Sequence, residues 1–408
     1  MNRRFLFLQG PCSPFFSQLG RGLADAGYHI AKLNYNCGDA GQWRQGCSQS
    51  YRGKAEDLCI FYRLLFEREG YTDIILFGDH RPVHLPAIQV AKTCGINVHV
   101  FEEGYFRPYW ITLERNGVNA KSELPNDPAW YRKIGPRIPD YGNGQEFKSS
   151  FSTRAYHDIV YQAAGIANRL LYPEYRTHAP VSASAEYRAY AKRAVSIFRR
   201  KATDAAAIQN LIYSRTPFWL LPLQLNSDAQ IRCHSPYADM PHMLQEVIAS
   251  FARMCHPSAS LAIKNHPLDP GLMNYEKIID ELCARFAVCR KRVIYLESGP
   301  LPALLNHARG VITVNSTVGG SALVHSRPLM ALGQAIYHMP GLTFQGHLDD
   351  FWRHGRQPDP RLFRWFRNTV IHSTQINGGF YAKSSIAMSV SAALPRLLAT
   401  CSRLNMLR

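Results

Sequence analysis

The side chains of this chain that could do chemistry gather where apolar runs stop. Val98 to Glu114 reads VHVFEEGYFRPYWITLE. Its start has the β-branched and aromatic bias of a buried strand, and Glu102 and Glu103 fall where that strand should end, ahead of Gly104 and the Arg107-Pro108 breaker. Ligands of open α/β sheets bind outside the carboxyl ends of strands, so two carboxylates there mark a possible site. An ordinary strand exit with one solvated glutamate would read the same way locally. The neighbours favour a site: Tyr105, Tyr109 and Trp110 interleave with Arg107, and a guanidinium among aromatic rings suits a planar anion or a sugar face.

The same rule selects further segments. In the N-terminal half they are Gln9-Gly10-Pro11 and Gly78-Asp79-His80-Arg81-Pro82. In the C-terminal half, Leu223 to Asp228 (LQLNSD) presents Asp228 among amide and hydroxyl neighbours, although an Asp in such a loop is commonly a turn former or a helix cap. Lys264-Asn265-His266-Pro267 puts a cation and an imidazole at a strand end with proline fixing the backbone, a fair phosphate ligand. Val314 to Ser321 (VNSTVGGS) runs from strand to helix, where free backbone N–H groups and the helix dipole take a phosphate; the Gly-Gly pair equally fits close helix packing. The spacing is not that of a Walker loop. Leu332 to Tyr337 could flank a nucleotide base.

These residues need a scaffold that brings strand ends together. Strands at Arg4 to Leu8, His29 to Asn34, Thr72 to Phe77 and from Val98 alternate with helical stretches, each change marked by Gly or Pro. After a Pro, Gly and Asn-rich loop (Asn119 to Gly144) and a helical stretch from Phe151 to Lys201, a second alternating set begins at Pro217. Its strands are expected at Pro217 to Leu225, Ser260 to Lys264, Val293 to Leu296 and Gly310 to Val314. Such alternation specifies parallel sheets, hence an α/β protein of two Rossmann-like lobes with a cleft between them. The expected boundaries are 1–205 for an N-terminal acceptor-side domain with a helical insertion, 206–380 for a nucleotide-sugar domain, and 381–408 for a C-terminal helix packing back across the lobes. Phosphate-binding elements in one lobe and carboxylates in both match a two-Rossmann (GT-B type) glycosyltransferase.

Composition bounds the partners. Hydrophobic residues make up 46% of the 408 residues and charged ones 19%, a globular balance with room for two cores. The net charge of +17 favours an anionic partner. No uncharged run suits a spanning helix, and the N-terminus reads as a first strand rather than a signal peptide, so a soluble or peripheral protein is expected. Ten cysteines without a CxxC pair suggest reduced thiols in a cytoplasmic protein. Cations and aromatics mix in Arg188, Lys192, Arg193, Arg199, Arg200 and Lys201 and again in Phe351-Trp352-Arg353, Arg356, Arg361, Arg364, Trp365 and Arg367, as on peripheral membrane surfaces, although the first set also fits a solvated helix face. No nucleic-acid reader motif is present.

Taken in order, FLQGPCSPFF (Phe7 to Phe16), FGDHRP (Phe77 to Pro82), FEEGYFRPYWITLE (Phe101 to Glu114), LQLNSDAQI (Leu223 to Ile231), KNHP (Lys264 to Pro267), NSTVG (Asn315 to Gly319) and GLT (Gly341 to Thr343) resemble the KpsS/LipB family of capsular-polysaccharide β-Kdo transferases over nearly the whole chain. The resemblance implies transfer of 3-deoxy-D-manno-octulosonic acid (Kdo) from CMP-Kdo to lysophosphatidylglycerol, starting the capsule linker at the cytoplasmic face of the inner membrane, alongside other capsule biosynthesis and export proteins. It implies Asp228 as nucleophile, with Gln224 in its loop, and Glu102 or Glu103 as acid/base. His266, with Pro267 setting its backbone, would contact the CMP phosphate, helped by Lys264, Asn315, Ser316 and Thr317. Arg81 or Arg107 could pair with the Kdo carboxylate, near Asp79. No metal or other cofactor is expected. A non-catalytic assembly or export factor is the alternative.

Overall fold

The computed structural model describes residues 3–148, 150–176, 183–214, 216–226, 231 and 235–408. The chain divides into two compact units, the first formed by residues 1–124, 136–178 and 367–408, the second by 125–135 and 179–366.

In the first unit, β1 (Arg4–Phe7), β2 (His29–Asn34), β3 (Cys47–Ser50), β4 (Asp73–Phe77) and β5 (Asn97–Glu103) form a parallel sheet in the order β3-β2-β1-β4-β5. The two-residue period of a strand sends alternate side chains to opposite faces. Leu6 and Leu8 therefore join a core with Tyr62, Leu65 and Val100, while Phe5 and Phe7 join another with Phe15, Leu19 and Phe101. β6 (Trp110–Arg115) returns antiparallel beside β5. The sequence pattern ends the strand at Glu102 and Glu103 and assigns no element to this return. Gly104 permits the hairpin, since a Cβ there would lie 1.9 Å from the Trp110 carbonyl oxygen.

The second unit holds β7 (Phe218–Pro222), β8 (Ser260–Lys264), β9 (Val293–Leu296), β10 (Gly310–Thr313) and β11 (Leu329–Ala331), all parallel, in the order β11-β10-β7-β8-β9. The helices Met240–Met254 and Tyr275–Arg285 bury Leu244, Val247, Phe251 and Ile279 against Leu261 and Ile263 of the sheet. Phe351 and Trp352 belong to this core. Trp352 packs edge-on to Trp219 and its Nε1–H donates to Ser250 Oγ at 2.7 Å. Phe351 and Trp352 of the expected membrane-facing cluster are therefore core residues, while Arg353 and Arg356 are exposed and Trp365 is half-buried.

Both α/β units are present as expected, but their boundaries differ. The helix Ala183–Tyr213 runs unbroken through residue 205, so the expected boundary between 205 and 206 falls inside one helix. Residues 367–380 belong to the first unit because β12 (Gln375–Asn377) pairs antiparallel with β6. The Gln375 side chain adds bonds to Tyr105 N and Thr112 Oγ1. The C-terminal helix Lys383–Leu398 then inserts Ile386, Ala393 and Leu397 into the first unit's core beside the helix Phe15–Asp25. No helix among the described residues is long and apolar enough to cross a membrane.

Candidate functional site

Each sheet has one place where the chain reverses its direction of winding. In the first, β1 leads to β2 and β3 on one side and the chain then returns to lay down β4 and β5 on the other. The loops after β1 and β4 diverge there and leave a crevice at the strand carboxyl ends. Those loops are Gln9 to Ser13 and Gly78 to Pro82, two segments the sequence had singled out. Arg81 bridges them, its Nη1 donating to the Gly10 carbonyl at 3.0 Å, with the guanidinium over the Phe77 ring. Gln9 Nε2 and Asn36 Nδ2 both donate to the Tyr161 hydroxyl, at 3.0 and 2.9 Å. Lys32 and Asp39 form a fully buried pair at 2.6 Å below this network. Burial pushes the Cys12 thiol up to about 12, against the opposing charge of nearby Arg81.

Glu102 and Glu103, adjacent in sequence, face opposite sides of the sheet and live in different surroundings. Glu103 pairs with Arg154 at 3.5 Å, and Arg154 lies over the Tyr381 ring. Glu102 is half-buried beside the Gly78-His80 turn. Burial raises its carboxyl above the usual range, the Glu103 backbone N–H at 2.9 Å and the charges of His80 and Arg81 opposing that only in part. Gly78 makes room for it: its φ is +74° and a Cβ there would lie 3.3 Å from Glu102 Oε2. A half-buried carboxyl of raised proton affinity at a crevice suits a general acid or base.

Other residues proposed for this region have different surroundings. Asp79 is buried and accepts the Val118 backbone N–H at 3.2 Å; burial pushes its carboxyl up, but bonds from His80 and Val118 hold it below the ordinary value. Its visible role is to anchor the chain after β6. Arg107 is exposed at the tip of the β5–β6 hairpin. The aromatic neighbours expected to form a sugar platform with it turn inward: Tyr105 donates its hydroxyl to Glu114 at 2.6 Å, and Trp110 packs on Tyr141.

In the second unit the reversal falls between β7 and β10. Gln224 follows β7 and Asn315 follows β10, and they brace each other across it: Gln224 Nε2 donates to Asn315 Oδ1 at 3.0 Å, and the Asn315 backbone N–H donates to Gln224 Oε1 at 3.2 Å. Ser316 caps the helix Thr317–Val324, its Oγ accepting the Val318 N–H at 3.2 Å, so this helix end opens at the crevice. Gly319 is there for packing, because a Cβ would meet the Tyr337 hydroxyl at 2.2 Å. Tyr337 donates that hydroxyl to the Ser316 carbonyl at 2.6 Å, which makes Leu332 to Tyr337 a support for the helix end rather than a free strand. Asp228 lies outside the described residues; the loop that leads to it is tied down by Asn226, whose Oδ1 accepts from Met240 N at 2.8 Å.

Beside β7, the end of β8 carries the Lys264 to Asp269 turn. His266 Nδ1 accepts the Leu268 N–H at 3.1 Å, which leaves Nε2 as the proton-bearing nitrogen of a neutral ring. Lys264 is buried, and burial together with the Arg193 charge lowers its affinity for a proton. Arg193, from the middle of the helix Ala183–Tyr213, organises the turn. Its guanidinium donates to the carbonyls of His266 (2.8 Å), Pro267 (3.0 Å) and Asp269 and pairs with Glu297 at 2.6 Å. Glu297 also accepts from the Tyr295 hydroxyl and the Asn265 amide; these bonds and Arg193 hold its carboxyl below the usual range although burial pushes the other way. Sequence reading placed Arg193 among surface cations. The available signal was helical phase: Ala189, Arg193 and Asp204 share a buried face that Lys192 and Arg199 do not. Tyr161 and Arg154 were missed for a related reason, since only the fold returns their helix, Phe151–Gly165, to the β1 loop.

Two parallel-rich α/β sheets, each with polar side chains gathered at its reversal point, define a Rossmann-like protein of two units. Residues 72–381 match the family of capsule polysaccharide biosynthesis proteins, and the chain belongs to that family. It is 37% identical to the capsule polysaccharide export protein KpsS of Escherichia coli, over 93% of this chain and 97% of that one. It is 33% identical to the capsule polysaccharide modification protein LipB of Neisseria meningitidis, over 93% of this chain and 91% of that one. The solved β-Kdo 2,7 transferase KpsC of Thermosulfurimonas dismutans aligns at 14% identity over 96% of this chain and 100% of that one, with a TM-score of 0.45, too remote to bear on chemistry.

Proposed function

We propose that the protein is a retaining glycosyltransferase that moves Kdo from CMP-Kdo onto a lysophosphatidylglycerol acceptor at the membrane surface. The observation that carries this is the Lys264 to Asp269 turn, where a buried guanidinium clamps three backbone carbonyls and fixes the backbone that carries the His266 imidazole. Preorganised donors of this kind stabilise a departing phosphate. In the proposed reaction Asp228 attacks the anomeric carbon of Kdo as the bond to CMP breaks. His266, Lys264, Asn315, Ser316 and Thr317 take the charge that develops on the CMP phosphate. The Glu102 carboxylate then removes the proton of the acceptor hydroxyl, whose oxygen displaces Asp228 from the same carbon. Two inversions give retention. Arg81, fixed at the crevice of the first unit, is the better placed partner for an acceptor phosphate or sugar carboxylate, and no step is assigned to a metal.

Mass spectrometry of a lysophosphatidylglycerol analogue incubated with CMP-Kdo and protein tests the proposal. A single Kdo increment with wild type that is lost in Asp228→Ala is the expected result. Intact donor and no increment with folded wild type would sink it. That outcome would favour a non-catalytic role in assembly or export, a reading that the export protein name of the Escherichia coli relative suggests.

A further inference from the structure

The helix Ala183–Tyr213 has two unlike faces. The inward face holds the site: Arg193 clamps the His266 turn, and Asp204 accepts the Ser298 backbone N–H at 2.9 Å. The outward face has no role so far. At about 3.6 residues per turn, Ala191, Ala194, Val195, Phe198 and Ala202 form one exposed stripe, with Lys201 on one border and Lys192 and Arg199 on the other. Val195 is 50% exposed and Phe198 80%. From Arg188 to Thr203 the sequence contains no Asp or Glu. An apolar stripe between two cationic borders is the pattern of a helix lying in a lipid interface.

We propose that this stripe docks the protein on an anionic lipid surface, Phe198 and Val195 entering the boundary between headgroups and acyl chains while Lys192, Arg199 and Lys201 meet lipid phosphates. The proposal draws its purpose, not its geometry, from the reading of the acceptor as an anionic lipid. Charge complementarity selects the occupant. A second copy of the chain, meeting this stripe through a two-fold axis, would set cations against cations with no carboxylate on the stretch to pair them. Nucleic acid would match the cations but leaves Val195 and the three alanines of the stripe without a function. Docking and donor binding then share one rigid element, because the helix that would lie on the lipid is the helix that clamps the His266 turn.

The full-length protein, sedimented with phosphatidylcholine vesicles with and without phosphatidylglycerol, tests this directly. Binding is expected only with phosphatidylglycerol and should weaken with salt. Each of Lys192→Ser, Arg199→Ser and Lys201→Ser should lower it about fivefold, and Phe198→Ser at least as much with the salt dependence kept. These positions are exposed, so unchanged circular dichroism spectra are expected. Equal binding to both vesicle types, or charge variants that bind as wild type does, would overturn the proposal. So would a finding that the substitutions abolish RNA binding or dissolve a dimer while vesicle binding persists. Transfer assays separate this idea from the transferase reading: Phe198→Ser should spare transfer to a short-chain soluble acceptor and depress transfer to a vesicle-borne one. If wild type binds vesicles yet transfers nothing, docking stands and the transferase reading fails.

Discussion

The two units share a topology and differ in how they prepare their crevices. The first gathers hydroxyls, amides and a carboxyl of raised proton affinity: Tyr161 receives Gln9 and Asn36, the buried Lys32–Asp39 pair is internally compensated, and Glu102 has the Glu103 backbone N–H, His80 and Arg81 nearby. The second gathers cations and backbone donors around Arg193 and a helix end. A parallel sheet thus supplies position only. What a crevice can do is set by which charge is buried at it and whether that charge is paired. An unpaired carboxyl stays protonatable, while a fully bonded guanidinium becomes a rigid strut.

The sharpest test of this contrast is within the first unit. Glu102→Gln should lower turnover by about 10²–10⁴-fold, the usual worth of a general base, whereas Glu103→Gln should cost about tenfold or less by loosening Arg154. The wild-type acid limb of turnover should lie above the ordinary carboxylate range and follow Glu102. Equal losses in the two variants would remove the distinction.

In the second unit, Arg193→Met should destabilise by about 3–5 kcal/mol in chemical denaturation, because Glu297 and three carbonyls lose a buried partner. Adding Glu297→Gln should recover part of that loss without restoring the donor KM. Full recovery of both would make Arg193 a stability residue alone and not a positioning one.

A third prediction concerns Glu114, buried under β6 and raised by burial to about 7, with hydroxyl donors Tyr105 and Ser122 only partly offsetting this. Its folded value lies above its unfolded one, so the native state holds the proton more tightly. The corresponding stability is complete below about 4.5 and is lost as pH rises through about 7. Denaturation midpoints should therefore fall between those pH values by an amount worth about 3 kcal/mol at most, and Glu114→Gln should flatten that slope. The smallest expected effect is Gly78→Ala, costing about 1–2 kcal/mol for the left-handed backbone, with a fall in turnover if the new Cβ displaces Glu102.

Much of this was legible because apolar runs announce strands and the residue after a strand of a parallel sheet has a fixed fate. That reasoning puts Gln9, Gly78 to Arg81, Glu102, Glu103, Gln224, Lys264, His266 and Asn315 at or just after strand ends, where the structure has them. It overestimated aromatics. Tyr105, Trp110 and Trp352 read as surface platforms, yet large rings next to arginines are as easily core residues whose polar tips find Glu114 or Ser250. It also had no means of seeing β12, three residues whose extended form comes from the open edge of β6 rather than from their own pattern.

The sequence by itself determined the two α/β units, the strand ends that carry polar groups and the acid-free basic stripe of the long helix, since each depends on local periodicity or on composition. Tertiary structure decided which of two adjacent glutamates pairs with Arg154 and which arginine of a basic helix turns inward. It also brought together residues far apart in the chain, Tyr161 with Gln9 in the first unit and Arg193 with His266 in the second. Those outcomes depend on burial and on partners brought in from distant segments, and a side chain's ionisation and orientation follow its surroundings rather than its neighbours in sequence.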